Sequence, residues 1–426
     1  MLWLYRIFFV PAFLLMLPAY ARRMRRRGGY GENLAQRFGR QSCPPRAGGS
    51  ARRVWLQAVS VGEMLAVAPL IADLHRRGIE IFLTTTTSTG YQLARTRYAA
   101  QTLAIGYFPL DWWPVSAATW RRVQPDLVIL TEGERWPEHL RQAALRSVPV
   151  VCINARLSDR SFRRLRRFRP AARLLLGGIT RLLPSSPQDE ERFRALGFDP
   201  ERMVVTGNIK LDVAIEPLSA PQIEKWRRDL GIPAGSLVLA GASTWPGEES
   251  ALVECLIAAR SKGLDCALLL VPRHAERRAD LRVELSGPGL RIHFRSTGLA
   301  AGPCDIAVAD TTGELQRLLQ LADVVFVGKS LSPHTEGQTP VEAAALGKAI
   351  VFGPGMGNFR EIAGDLVRAA AARRVESTAE LTATVTELLG QPASRRRLGA
   401  AAETWHRRNR GAVERTLAVI YSELGQ

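Results

Sequence analysis

Short apolar runs separated by amphipathic helical stretches recur along most of this chain, and the pattern starts twice. In the first block the runs are "VWLQAVSV" (54–61), "IEIFLTTT" (79–86), "PDLVIL" (125–130), "VPVVCIN" (148–154), "ITRLLPSS" (179–186) and "RMVVTGN" (202–208). In the second they are "SLVLAGAS" (236–243), "DCALLLVP" (265–272), "DIAVAD" (305–310), "DVVFVG" (323–328) and "KAIVFG" (348–353). Strands that are apolar throughout, rather than alternating, are covered on both faces, and helical crossovers between them make the sheets parallel. The pattern therefore predicts two doubly wound α/β domains, which also suits a length of 426 residues. The linker is expected near residues 212–222, where Pro217 and Pro221 interrupt the grammar. Ligands of such sheets sit at the carboxyl ends of the strands, so two facing sheets predict a site in the cleft between domains. The last stretch, from Ser394 to Leu424, reads as helix throughout and carries no obvious chemistry.

The N-terminus "MLWLYRIFFVPAFLLMLPAY" is followed at once by "ARRMRRRGG". A full span needs about 20 apolar residues. A signal peptide carries its positive charge before the apolar region, whereas here the arginines follow it. An arginine flank stays cytoplasmic. Residues 1–27 are thus expected to be an uncleaved anchor, spanning or embedded, at an inner membrane with the body of the protein in the cytoplasm. The chain carries 58 basic and 40 acidic residues, a net charge of +18 that implies an anionic partner. A second arginine cluster, "RSFRRLRRFRPAARLL", starts at Arg160. No recognised nucleic-acid motif accompanies these clusters, so nucleic acid is not the expected partner. The five cysteines are scattered and show neither a disulfide framework nor zinc-ligand spacing.

Polar residues at the expected strand ends carry the chemistry. In "AVSVGEMLAVAPLIADL" (58–74), Gly62 reads as the hinge between strand and helix, and Glu63 as the first residue with room to be helical. An acidic side chain there meets the positive end of the helix dipole, which suits a simple cap as well as a proton acceptor. "TTTTSTG" (84–90) is a hydroxyl- and amide-rich turn able to hold an anion or sugar hydroxyls, with Ser88 and Thr89 in it. "TEGERWPE" (131–138) presents Glu132; Glu134, two residues on, is expected to face elsewhere in a structural role. Arg156 lies in "NARLSDRS", and Lys210 in "TGNIKLD".

The second half offers a different set. "GASTWPGEE" (241–249) joins strand to helix through small residues, as a phosphate seat does. Pro272 and Arg273 follow a strand, Thr312 and Gly313 precede a helix, and Pro340 opens another with Glu342 in its first turn. A carboxylate beside backbone amides suits a ribose diol and its phosphate, though it equally suits ordinary acid capping. No Asp-X-Asp, P-loop lysine or dinucleotide fingerprint is present. Together these parts suit glycosyl transfer from a nucleotide donor without a metal or cofactor. One domain would hold the nucleotide, and the other the acceptor and a base.

The motifs "AVSVGE", "TTTTSTG", "NARLSDRS", "TGNIKLD", "GEES", "LVPRHAER", "GELQRLL…ADVVFVG" and "GP…NF" occur in one order along the chain. In this it resembles the bacterial 3-deoxy-D-manno-octulosonic acid (Kdo) transferases of lipopolysaccharide assembly. The resemblance implies a GT-B fold of two Rossmann-like domains, here 28–215 for the acceptor and 216–426 for the nucleotide sugar. It implies a CMP-Kdo donor, an anionic lipid A precursor (lipid IVA-like) as acceptor, and inversion at the anomeric carbon. Glu63 matches the family's proton acceptor, and Glu132 and Lys210 match positions that stabilise the transition state. Pro272, Arg273, Thr312, Gly313, Glu314, Thr339, Pro340, Val341 and Glu342 match the segments that hold the cytidine nucleotide. Ser88, Thr89 and Arg156 are the expected acceptor contacts. The chain departs from the family where "TEGQTPVE" stands for "GGHNPLE", where Trp245 stands for a histidine, and where "GERWPE" stands for "TELWPN". These departures motivate an alternative, a GT-B transferase using another nucleotide sugar such as a UDP-sugar. The net charge alone motivates a third, a non-catalytic basic membrane-anchored protein that binds nucleic acid.

Overall fold

The computed structural model describes residues 1–26, 33–46, 51–286 and 289–426. Two compact units emerge, one of residues 1–212 with 410–426 and one of residues 213–409. The first holds strands β1 (Arg53–Gln57), β2 (Glu80–Thr85), β3 (Ala104–Tyr107), β4 (Leu127–Thr131), β5 (Val150–Ala155) and β6 (Arg181–Pro184). All pair in parallel, in the order β3-β2-β1-β4-β5-β6. The order reverses between β1 and β4, so the loops leaving those two strands part on opposite faces and open a crevice.

Every residue of β1, β4 and β5 is buried. Successive side chains alternate between the two faces. Val54 and Leu56 pack with Leu70, Ile71 and Leu74 on one side, and Trp55 packs with Phe82, Phe108 and Trp120 on the other. Each such fully buried side chain contributes about 1.5–3 kcal/mol relative to exposure.

The second unit holds β7 (Leu237–Thr244), β8 (Cys266–Pro272), β9 (Ile292–Phe294), β10 (Ile306–Val308), β11 (Val324–Val327), β12 (Ala349–Phe352) and β13 (Ala372–Arg374). They form one parallel sheet in the order β13-β12-β11-β7-β8-β10-β9, whose switch point lies between β7 and β11. Backbones meet closely there: a Cβ on Gly328 would stand 2.4 Å from the carbonyl oxygen of Ser243.

The structure corrects the expected elements in several places. β3, β9 and β13 were not expected; each has three or four residues, too few to show a pattern. Residues 202–208 form no strand; Met203 bridges Leu182 and Gly207 turns with φ +91°. β1 stops at Gln57 rather than running to Val61, and Ser60 caps a helix that already begins at Val61. The terminal helical region breaks at Gly411 (φ +82°), and its last segment, Ala412–Leu424, belongs to the first unit rather than the second. Ala412, Ile420 and Leu424 join the core of Val54 and Leu70. Asp212 fixes the junction by accepting from the amides of Gly411 and Val413 at 3.1 and 2.7 Å.

The N-terminal segment is one helix, Leu2–Arg26, and its window Leu2–Ala19 is long and apolar enough to cross a membrane. Its first turns are tied to the first unit. The Tyr5 hydroxyl donates to Asp111 at 2.6 Å, and the Arg6 guanidinium donates to both oxygens of the fully buried Glu138 at 2.5 and 3.0 Å. The basic flank ends outside the described residues: so do Arg27 to Glu32 and the side chains of Arg23, Arg25 and Arg26.

Candidate active site

The switch point of the first unit gathers the residues singled out at its strand ends. Ser60, in extended backbone, accepts from the Glu63 amide at 3.3 Å, which puts Glu63 in the first turn of the helix Val61–Ala66. The Glu63 carboxylate turns back over the crevice. Its Oε2 accepts from the Val59 amide at 2.9 Å and from the Thr131 hydroxyl at 2.6 Å, and its Oε1 accepts from the Ser60 hydroxyl at 3.3 Å. Thr131 is the last residue of β4, so a single hydroxyl couples the two loops that define the switch point.

Glu132 follows directly, with φ +50°, a left-handed conformation that a non-glycine residue adopts at a cost. Its Oε1 lies 2.5 Å from Lys210 Nζ and accepts from Asn154 Nδ2 at 3.3 Å. Asn154, also left-handed at φ +49°, accepts the Ile209 amide at 3.2 Å and so holds the Lys210 loop in place. Two hydrogen-bonded sets, Glu63 with Thr131 and Glu132 with Lys210, thus meet at the Thr131–Glu132 peptide.

The acceptor candidates divide. The hydroxyls of Thr85 and Thr87 donate to the Val59 carbonyl at 2.9 and 3.0 Å, so two of the five threonines in this turn position the Glu63 loop. A Cβ on Gly90 would stand 2.6 Å from Thr85 Oγ1 and 2.8 Å from Thr87 Oγ1, which explains the glycine. Ser88 opens the helix Ser88–Tyr98, with Thr89 exposed beside it. Arg156 follows β5 by one residue, and its carbonyl accepts from Arg135 at 3.3 Å.

In the second unit the nucleotide candidates lie at the carboxyl ends of β8, β10 and β11, strands on and beside the switch point. The Arg273 amide donates to the Thr244 carbonyl at 3.1 Å, and its side chain is exposed. Thr312 and Gly313 (φ +84°) are exposed at a turn. Glu314 is committed elsewhere: Arg295 donates to its two oxygens at 2.6 and 2.8 Å, which holds the carboxyl below the usual range. The Thr339 hydroxyl accepts the Val341 amide at 3.2 Å and donates to Glu342 at 3.1 Å. Pro340 precedes the short helix Val341–Ala345, and burial pushes the Glu342 carboxyl up. A cavity of about 760 Å³ in this unit is lined instead by 332–335, Phe352, 354–357 and the helix from Arg360, with none of these candidates in its wall. Among the described residues, no group of three or more His, Cys, Asp or Glu side chains converges as a cation site.

Residues 32–213 match the family "3-Deoxy-D-manno-octulosonic-acid transferase (kdotransferase)". The 3-deoxy-D-manno-octulosonic acid transferase of Bordetella pertussis is 34% identical over 415 residues, covering 95% of both chains. The chain belongs to the Kdo transferase family. The Haemophilus influenzae Kdo transferase is 32% identical, over 95% of this chain and 92% of its own. Among solved structures, the UDP-GlcNAc 2-epimerase of Neisseria meningitidis superposes with a TM-score of 0.58 at 15% identity, over 88% of this chain and all of that one. A glycosyltransferase of Rickettsia africae gives 0.56 at 12%, over 88% and 99%. At these identities the likeness speaks to fold alone, and it is the GT-B fold. The protein is a glycosyltransferase.

Two residues of this Kdo transferase, Glu134 and Glu248, have a place that the sequence did not reveal, and the contacts of a third, Trp245, are now defined. Glu134 does not face away: it stands near Glu63 and accepts the Trp136 indole N–H at 2.8 Å. Burial pushes its carboxyl up to about 7; the Trp136 hydrogen bond opposes the shift and the charge of Glu63 adds to it. The two-residue spacing misled because β4 ends at Thr131, and past a left-handed residue strand alternation no longer applies. Glu248 is 1% exposed and accepts four backbone amides, those of Trp245, Lys329, Ser330 and Leu331, at 2.7–3.1 Å. Its carboxylate thus ties the turn before its own helix to the loop at 329–331, and its signal in the sequence was the motif "GEES". Trp245, where the family usually has histidine, lies under Lys329 Nζ (4.0 Å from the ring) and contacts the rings of His274 and His334.

Proposed function

We propose that the protein transfers Kdo from CMP-Kdo to an anionic lipid A precursor at the inner membrane. The observation that carries the mechanism is the convergence of Glu63, Thr131, Glu132 and Lys210 where the first sheet reverses its strand order. A sugar hydroxyl is a poor nucleophile at neutral pH, so a base must take its proton as it attacks. Glu63 is that base in this reading. As the acceptor hydroxyl attacks the anomeric carbon, its proton passes to Glu63. The bond from that carbon to the phosphate oxygen breaks, and CMP leaves with the bonding pair. Attack from the opposite face inverts the centre.

Lys210, held by Glu132, supplies positive charge for the negative charge that develops on the departing phosphate. Thr131 and the Val59 amide fix the Glu63 carboxylate so that its position needs little reorganisation. Pro272, Arg273, Thr312, Gly313 and Thr339 to Glu342 are assigned to the cytidine nucleotide, and Glu314 acts there through Arg295. Ser88, Thr89 and Arg156 are assigned to the acceptor. No metal or cofactor enters the reading. The helix Leu2–Arg26 and the exposed arginines of the helix Asp159–Arg167 hold the enzyme to an anionic lipid surface, with both units on the cytoplasmic side.

The test is to incubate purified protein with CMP-Kdo and a tetraacylated glucosamine disaccharide bisphosphate in EDTA, and to weigh the product. Addition of Kdo is expected. A requirement for divalent cation would remove the metal-free step, and tighter calorimetric binding of UDP than of CMP would replace the donor.

A further inference from the structure

The first unit contains a cavity of about 630 Å³ beneath the N-terminal helix, within the size range of small-molecule sites. Phe9, Phe13 and Leu17 of that helix form one wall, and Phe38, Phe108 and Trp136 form the other. The helix is held over it by the Tyr5–Asp111 and Arg6–Glu138 contacts, which tie its first turns to the body of the unit. Its outer face exposes Trp3, Phe8 and Leu15, the last at 84%. The helix therefore lies along the unit, with one apolar face to the surroundings and the other to the cavity.

The cavity is not closed by apolar groups at every side. Glu134 lines it, and the same carboxylate stands near Glu63 and is shifted by its charge. Thr86, in the loop that follows β2, lines it as well. An apolar chamber under a lipid-seeking helix thus carries, at its polar edge, the carboxylate that feels the charge of the proposed base.

We propose that this cavity receives one acyl chain of the acceptor lipid, whose sugar hydroxyl is thereby delivered to Glu63. The inference rests on the transfer reading above and adds to it how the acceptor is recognised. The occupant is an acyl chain attached to a sugar, because the apolar walls end at Glu134 and Thr86, side chains suited to hydroxyls; Arg37 also lines the chamber, but its guanidinium already donates to the carbonyls of Phe108 and Thr86 at 2.6 and 3.2 Å. Each methylene moved from water into such a site contributes about fourfold in affinity. A chain that fills even part of it dominates acceptor binding.

The experiment uses the full-length protein and an acceptor analogue with a photoreactive diazirine near the end of one acyl chain. Cross-links are expected on residues 9–17 and 34–38, and excess unlabelled acceptor is expected to suppress them. Labelling confined to the outer face at Leu14 and Leu15 overturns the proposal. So does equal labelling of the cavity by a diazirine phospholipid that the acceptor does not displace. In parallel, Ala12→Trp, which fills the chamber, is expected to lower kcat/KM for the acylated acceptor at least tenfold relative to the deacylated disaccharide bisphosphate. An unchanged ratio overturns the site. Cavity labelling without any Kdo transfer would fail the transfer reading and leave the acyl site standing; transfer without cavity labelling would do the reverse.

Discussion

The two switch points occupy equivalent places in two parallel sheets, yet they use carboxylates in opposite ways. In the first unit, Glu134 lies near enough to Glu63 to be shifted by its charge, and Glu132 holds a half-exposed lysine. In the second, Glu248 is buried under four backbone amides, and Glu314 is bound through both oxygens to Arg295. Glu248 and Glu314 are held only by backbone amides or by a guanidinium with a threonine hydroxyl, and they brace loops. Glu63 accepts one amide and two hydroxyls, and a second carboxylate lies near enough to feel its charge. The fold thus separates chemistry from architecture by how each acid is partnered.

That contrast can be broken from either side. Glu248→Ala is expected to have the largest effect, because four amides lose their acceptor; at about 1 kcal/mol or more each, urea unfolding should show a loss of about 4 kcal/mol. A loss below about 1 kcal/mol would mean the loop at 329–331 does not depend on it. Lys210→Met is expected to lower kcat about 10²-fold, by analogy with loss of one charge-stabilising donor, with the KM for CMP-Kdo little changed. A change in KM alone would make Lys210 a binding group.

Glu134→Gln is expected to have the smallest effect at neutral pH and the clearest signature in a pH series. Glu134 titrates near 7 beside Glu63, so the wild-type kcat/KM profile should inflect there, and the variant should lose that inflection. Stability follows the same group. Its folded pKa is raised above the ordinary 4.5, so its contribution is complete below that value and declines as pH rises through about 7. The variant should lack this decline, and an unchanged pH dependence of unfolding would separate Glu134 from the pair.

Much of this was legible in the residues because parallel strands announce themselves as unbroken apolar runs. The loops after β1 and β4 could be located, and with them Glu63 and Glu132; Lys210 was located by its motif "TGNIKLD", although residues 202–208 form no strand. What remained hidden has physical causes. β3, β9 and β13 are short, and "ARR" in β13 carries two arginines that no apolar pattern marks. The return of Ala412–Leu424 to the first unit depends on Asp212 capping a helix some 200 positions away in sequence, which no local pattern encodes. Glu134 was misread because alternation was extended past the end of a strand. The role of Glu248 was hidden because three of its four amide partners lie more than 80 positions away.

The central claim is that Glu63 accepts the acceptor's proton, and one measurement addresses it most directly. Glu63→Gln keeps the shape and the hydrogen-bonding edge of the side chain but cannot take up that proton. With CMP affinity measured on the same preparation by calorimetry, kcat is expected to fall about 10²–10⁴-fold while nucleotide binding is retained. Undiminished transfer by a folded Glu63→Gln protein would contradict it.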